Sequence, residues 1–157
     1  STPMILDAIE ESDYTGHVTV VIGPGYDNVA AIRNTATSLS QSVECVRDPA
    51  DLPMRMCNAD IAITSTGTTV YELLGLQTPF IGIPQVTNQN IIADALETRK
   101  LAAVLPEGAQ HDRIMASLNE FVAGIDFRRQ IHQRCPAVVD GRGVLRVADQ
   151  IGQLGAD

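Results

Sequence analysis

The stretch from Asp60 to Pro84 restricts the possible folds more than any other part of the chain. Ile61, Ala62 and Ile63 form a short apolar run, as a strand does when both its faces are covered. Gly67 follows and marks a sharp turn where backbone can approach a ligand closely. Thr68 and Thr69 stand at the first turn of a helix whose apolar positions are Val70, Leu73, Leu74 and Leu76. Gly75 and the later Pro79 signal its end, and Phe80 to Ile83 reads as the next strand. The turn gathers backbone N–H groups and the hydroxyls of the Ser65-Thr66-Gly67-Thr68-Thr69 run at a helix N-terminus, just past a strand end. That is where an open parallel sheet binds an anion.

Glu72 lies about one helical turn inside this helix. A carboxylate there can reach past a phosphate group to a sugar diol and accept two hydrogen bonds. It reads equally well as a solvated surface residue that the helix dipole favours near a helix start.

The rest of the chain alternates in the same way. Ser1-Thr2-Pro3 is a helix start, with Thr2 as N-cap and Pro3 at the first position. Ile5, Ala8 and Ile9 make its apolar face. A helix with no strand before it is out of place in an alternating α/β chain, so a strand, and with it a further domain, is expected ahead of residue 1. His17 to Ile22 is the first visible strand, followed by the turn Gly23-Pro24-Gly25. Asn28 leads into a helix with Val29, Ile32, Ala36 and Leu39 on one face. Val43 to Val46 is a short strand, and Asp48-Pro49 supplies N-cap and N1 signals for a helix through Met54 and Cys57. After the central stretch, Asn88-Gln89-Asn90 opens a helix carrying Ile91, Ile92, Ala95 and Leu96. Ala103 to Leu105 is the last strand. Ile114, Leu118, Phe121, Val122 and Ile125 fit one amphipathic helix, and two more are expected around Phe127–Arg134 and Val144–Ile151. Strands and helices in alternation with short connections imply an α/β fold, a Rossmann-like parallel sheet with helices on both faces.

Composition narrows the functions. At 157 residues the chain has the length of one domain. The net charge of −8 argues against a broad nucleic-acid surface. With three Tyr, three Phe and no Trp, a stacking platform for single strands is not expected. A single lysine against ten arginines, and twelve Asp against seven Glu, would suit a high-salt cytoplasm or plain compositional drift. No apolar run of membrane-spanning length is present. Cys45, Cys57 and Cys135 are widely spaced and odd in number, which points to reduced thiols and a cytoplasmic location. No metal site is expected, since His17, His111 and His132 offer no paired ligand spacing.

Three loops follow strands and so belong to one edge of the sheet. They are Gly23-Pro24-Gly25-Tyr26, Ser65 to Thr69, and Pro84 to Gln89. G-x-x-x-x-G-K-[ST] is absent, which excludes a P-loop nucleotidase. The Gly23-Pro24-Gly25 turn lacks the third glycine of a dinucleotide fingerprint. "VVIGPGYDN" at 20–28, "STGTTVYELLGLQTP" at 65–79 and "NQNIIADAL" at 88–96 together resemble the C-terminal half of GT-B nucleotide-sugar enzymes. The nearest likeness is to the spore-coat polysaccharide biosynthesis proteins and the UDP-sugar hydrolase of the pseudaminic acid pathway. The peptidoglycan UDP-GlcNAc transferase is more distant. "VDGRGVLRVADQI" at 139–151 resembles the end of that group.

The resemblance implies a GT-B C-terminal domain that binds a UDP-sugar without a cofactor. Gly67, Thr68 and Thr69 would hold the diphosphate, with Ser65 and Thr66 beside them. Glu72 would hold the ribose hydroxyls. Val46 and Arg47 would offer backbone groups to the uracil. Asn88 and Gln89 would face the sugar or its phosphate, and Gly23 and Gly25 would let the first loop approach. Each position also has a plainer reading, as a turn, an N-cap or a solvated side chain. The resemblance further implies an N-terminal partner domain carrying the acceptor site, so this chain alone is expected to be inactive. The acceptor would be a sugar or water, and a non-catalytic binding module is the other reading. No residue here is assigned to catalysis.

Overall fold

A computed structural model describes residues 2–154. In chain order the elements are α1 (Thr2–Glu10), β1 (Val18–Ile22), α2 (Val29–Ser38), β2 (Val43–Arg47) and α3 (Leu52–Asn58). They continue with β3 (Ala62–Thr64), α4 (Thr69–Gly75), β4 (Phe80–Gly82), α5 (Asn90–Thr98) and β5 (Ala103–Val104). The chain then runs through α6 (His111–Ala123), α7 (Ile125–Arg134) and α8 (Gly143–Leu154). All strand pairings are parallel: β1 with β2, β3 with β4, and β4 with β5. The α/β class and the parallel strands flanked by helices are as the sequence predicts.

The expected single sheet is divided. The strands form a two-stranded sheet, β1-β2, and a three-stranded sheet, β3-β4-β5. One core nevertheless runs through both, from Leu6, Val20 and Ile32 to Leu73, Phe80, Ile81 and Leu118. Every residue of β4 is buried, as a central strand covered on both faces requires. Fully burying a side chain such as Phe80 or Ile81 contributes about 1.5–3 kcal/mol each. The helices form two groups. α1 packs on α2 and α6, while α3 packs on α4, which in turn meets the short 3-10 turn at Cys135–Ala137.

Several helix ends differ from the sequence-based expectation. Asn28 does cap α2, its side-chain oxygen accepting from the Ala31 N–H at 3.3 Å. At α3, Asp48 stands in the left-handed region with φ 44°, and the N-cap position falls to Asp51 instead. Asn88 is not a helix cap, since residues Thr87–Gln89 form a 3-10 turn ahead of α5. The predicted helix reaching Ile125 breaks at Gly124, where an added Cβ would lie 2.9 Å from the Glu120 carbonyl oxygen. Ile125 therefore starts α7.

α4 ends at Gly75, as the sequence signals, but Gly75 is not the residue that takes up the left-handed closing conformation. The left-handed residue is Gln77, with φ 61°, and the Thr78 N–H reaches back to the Leu73 carbonyl while the Gln77 N–H bonds that of Leu74. This is a Schellman end with glutamine where glycine is usual. Lys100 closes α5 in the same way, with φ 54° and the Leu101 N–H bonded to the Leu96 carbonyl. Gln77→Gly should therefore raise stability by about 1 kcal/mol, by removing the steric cost of φ > 0. The urea midpoint would measure it, and no rise would mean that the glutamine side chain compensates for the strain.

α1 and α6 are tied by His111. Its Nδ1 lies 3.0 Å from Asp112 Oδ1 and its Nε2 3.7 Å from Glu11 Oε2. The hydrogen bond with Asp112 is the main cause that raises the imidazole pKa above its ordinary 6.5, with Glu11 adding to it. A raised folded value stabilises the fold fully below pH 6.5, and that contribution is lost as pH rises through the folded pKa. The urea midpoint of the chain minus that of His111→Gln should fall between pH 5.5 and pH 8.5. A difference that stays flat would remove His111 from the pH response.

Candidate functional site

The site is built from strand ends. Because β1, β3 and β4 each run parallel to a neighbour, the loops that follow them leave at carboxyl ends, where an α/β sheet opens its crevice. Two of the predicted loops are locked together. Thr66 is completely buried, and its hydroxyl donates to the Gln89 carbonyl at 3.2 Å. Its methyl group lies over Gly82, where an added Cβ would come within 2.8 Å of Thr66 Cγ2. Thr66 thus braces the two loops from inside and presents no surface of its own.

Gln89 completes the lock. The Gln85 N–H donates to Gln89 Oε1 at 2.9 Å, which assigns oxygen to that side of the amide and leaves Nε2 as a donor. That Nε2 lies beside Gly67, 3.5 Å from where a Cβ on the glycine would stand, with Ser65 Oγ at 3.7 Å. A small residue at 67 therefore keeps open the space between an amide donor and a hydroxyl.

The α4 start adds further donors. Neither Thr68 nor Thr69 caps the helix by its side chain, and both hydroxyls lack a hydrogen-bond partner among the described residues. The backbone N–H groups of Gly67, Thr68 and Thr69 are unpaired on the same terms. This removes the plain N-cap reading of the threonines. Glu72 sits in the first turn of α4, is exposed, and makes no hydrogen bond or ion pair among the described residues. Asn88 is exposed in the 3-10 turn beside Gln89.

The remaining predicted residues form a second group. Arg47 ends β2 opposite Ile22 and donates from Nη2 to the Pro24 carbonyl at 2.9 Å. Val46 is half-buried just before it. Gly23 and Gly25 are exposed, and a Cβ at either would meet nothing within 4 Å. Neither glycine is demanded by its own loop. The structure thus joins Gly23, Gly25, Val46 and Arg47 on one side, and Ser65 to Glu72 with Asn88 and Gln89 on the other. No hydrogen bond links the two groups among the described residues, and the division follows the division of the sheet.

Sequence reasoning missed a fourth loop at this edge, residues 106–110 after β5. With Met4, Ile5, Pro84 and Gln85 it lines a cleft of about 230 Å³. Asn90 Nδ2 donates to Glu107 Oε2 at 3.1 Å, fastening this loop to the start of α5. The parallel pairing of β5 places that loop there, and the two-residue strand is too short to announce it. A larger hollow of about 490 Å³ lies along β5 between α5, α6 and α7, lined by Glu97, Lys100, Arg113 and Glu120 among others. None of the residues predicted for the three loops lines it.

The histidines stand apart from the loops. His17 precedes β1, at the amino end of the strand, with Nδ1 3.2 Å from Ser42 Oγ. His132 on α7 faces the Gln77 carbonyl at 3.0 Å. Cys45 is half-buried, Cys57 exposed and Cys135 buried, with burial raising the pKa of the Cys135 thiol. Among the described residues no group of three or more His, Cys, Asp or Glu is placed to hold a metal ion. No helix there is long and apolar enough to cross a membrane.

Fold and loops define a Rossmann-like α/β domain with its candidate site at the carboxyl edge of parallel strands. No protein family's sequence model matches the chain, and no curated protein matches it in sequence. Solved structures do match in fold. One is the glycotransferase of kitacinnamycin, with a TM-score of 0.64 and 19% identity over 97% of this chain and 38% of that one. Another is the spinosyn forosaminyltransferase SpnP, with a TM-score of 0.50 and 14% identity over 92% of this chain and 45% of that one. The chain has the α/β fold of part of these glycosyltransferases and spans less than half the length of either.

Proposed function

We propose that the chain is the donor-binding domain of a glycosyltransferase-like enzyme that uses a UDP-sugar in surface polysaccharide biosynthesis. The observation that carries this reading is the lock of Thr66 on Gln89. It brings an amide donor, free hydroxyls and unpaired backbone N–H groups around Gly67, with an unpaired carboxylate one turn further on. The likeness to two glycosyltransferases in fold supports it.

In this reading the diphosphate lies against Gly67, Thr68 and Thr69, and the start of α4 stabilises charge on the departing diphosphate as the bond to the anomeric carbon breaks. Gln89 Nε2 adds a donor there, and Ser65 and Asn88 stand at the rim. Glu72 holds the ribose hydroxyls. Backbone at Val46 and Arg47 meets the uracil, and Gly23 and Gly25 admit the ligand. A partner domain supplies the acceptor site.

A thermal-shift screen with UDP, UDP-GlcNAc, ADP and NAD tests the reading. A ligand at a hundred times its Kd adds about 2.7 kcal/mol of stability. Both uridine ligands should raise the Tm well above the shifts given by ADP and NAD. Equal shifts with ADP and UDP would sink the uridine assignment.

A further inference from the structure

We infer that the hollow beside β5 is a docking slot for an extended segment of a partner protein, one that adds a strand to the free edge of β5 and carries an acidic and a basic side chain. The first ground is the edge. β5 ends the three-stranded sheet and pairs with β4 on one side only. The Leu105 N–H bonds to the Gly82 carbonyl, so Ala103 and Leu105 turn their backbone groups toward β4. Val104 then turns its N–H and carbonyl the other way, and neither has a partner among the described residues. Val104 is half-buried, and a buried backbone group without a partner is rare. The hollow of about 490 Å³ lies on that free side, because the consecutive residues Ala102 to Leu105 all line it. Side chains of a strand alternate between its faces, so only a space along the edge meets every residue in turn. An open strand edge is satisfied by another extended backbone.

The second ground is the wall. α6 turns Arg113, Ala116, Ser117 and Glu120 to the hollow, positions that share one helix face. Its apolar residues Ile114, Leu118 and Phe121 are spent in the core. The small side chains of Ala116 and Ser117 leave the slot open between two charged ends. Glu97 near the end of α5 and Lys100 just after it stand on the rim as well. None of these four charged side chains enters an ion pair among the described residues. Arg113 and Glu120 are two turns apart, about 10 Å along the helix. Side chains four residues apart on one face of a strand are about 13 Å apart, and flexible side chains close the difference. An acid and a base at that spacing in the occupant therefore meet both ends of the wall. A second copy does not fit. Its β5 is recessed among its own helices in the same way, so two such edges cannot meet, and a net charge of −8 sets the copies against each other. Val104 alone offers two backbone bonds, so the charged wall sets both affinity and selection.

The test is peptide binding to the 157-residue chain, and it needs no nucleotide, so it stands or falls apart from the donor reading. The probe is a blocked peptide of about seven residues. Valine and threonine alternate in it, with aspartate near one end and arginine four places on. The reversed sequence covers the other strand direction. Anisotropy of a labelled peptide gives the affinity, and NMR follows the Val104 amide. One direction should bind, shift that amide and slow its exchange about tenfold or more. Two N-methylated forms, each blocked at alternate amides, should differ: one loses about tenfold in affinity and the other keeps it, since only alternate amides face a neighbouring strand. Arg113→Glu with Glu120→Arg should weaken binding by a similar factor, and a peptide with aspartate and arginine exchanged should restore it. Both residues are exposed, so this variant keeps the fold. No binding in either direction at about 1 mM peptide, equal affinity of the two N-methylated forms, or no rescue by the exchanged peptide would overturn the inference. So would slow exchange of Val104 in the free monomer, because the chain itself would then cover the edge, or a dimer that protects it.

Discussion

Gly82→Ala is expected to destabilise the chain by about 1–3 kcal/mol, the usual cost of forcing extra volume into a packed core. The added Cβ would stand 2.8 Å from Thr66 Cγ2, with Phe80 Cε2 and the Ala103 carbonyl oxygen close behind at 3.8 and 3.9 Å. Thr66 cannot swing aside easily. It is β-branched, fully buried, and held by its hydroxyl to the Gln89 carbonyl. In a domain of this length the Tm should fall by about 2–4 °C for each kcal/mol. A double variant isolates the cause. Thr66→Ser removes the offending methyl group and keeps the hydroxyl, so Gly82→Ala with Thr66→Ser should be more stable than the two losses added together. Simple additivity would mean that the new methyl group strains the β5 backbone and leaves Thr66 undisturbed. The same contact joins stability to the candidate site, because displacing Thr66 also frees Gln89 and the Gly67 turn.

The second large effect is on the ligand. Glu72→Gln is expected to weaken UDP binding by about 1–3 kcal/mol, or about 5- to 150-fold in Kd, by removing charge-assisted hydrogen bonds to the ribose. The fold should change by less than about 0.5 kcal/mol, since the side chain is exposed and has no partner among the described residues. Calorimetric titration of both proteins with UDP and with 2′-deoxy-UDP separates the causes. The deoxy ligand should bind the chain more weakly than UDP, and the substitution should cost it less affinity. If Glu72→Gln binds UDP as the unaltered chain does, Glu72 is a surface residue that the dipole of α4 favours.

The βαβ unit from Asp60 to Pro84, the five strands and most helices were legible in the sequence. Their signals are local: a short apolar run for each strand, a 3.6-residue period for each helix, and a glycine, asparagine or proline at the joints. Asn28 shows the kind of residue that announces itself, because capping uses its own side chain and the next turn. The shared edge of the loops after β3 and β4 was legible too, since those two strands pair in parallel. What the sequence left undetermined depends on partners far along the chain. Gln77 and Lys100 close their helices in the left-handed region, although glycine would be the usual choice, because the following Thr78 and Leu101 are drawn into the core. Gly82 was not singled out as a site of close approach, for the Thr66 methyl over it comes from another strand end. Thr66 looked like one more hydroxyl for a ligand, and only packing turns it inward onto Gln89. The separation of β1 from β3 is likewise a property of the assembled sheet. Periodicity identifies a strand, but the choice of its neighbour is made by backbone pairing between segments distant in sequence, and that energy has no local signal.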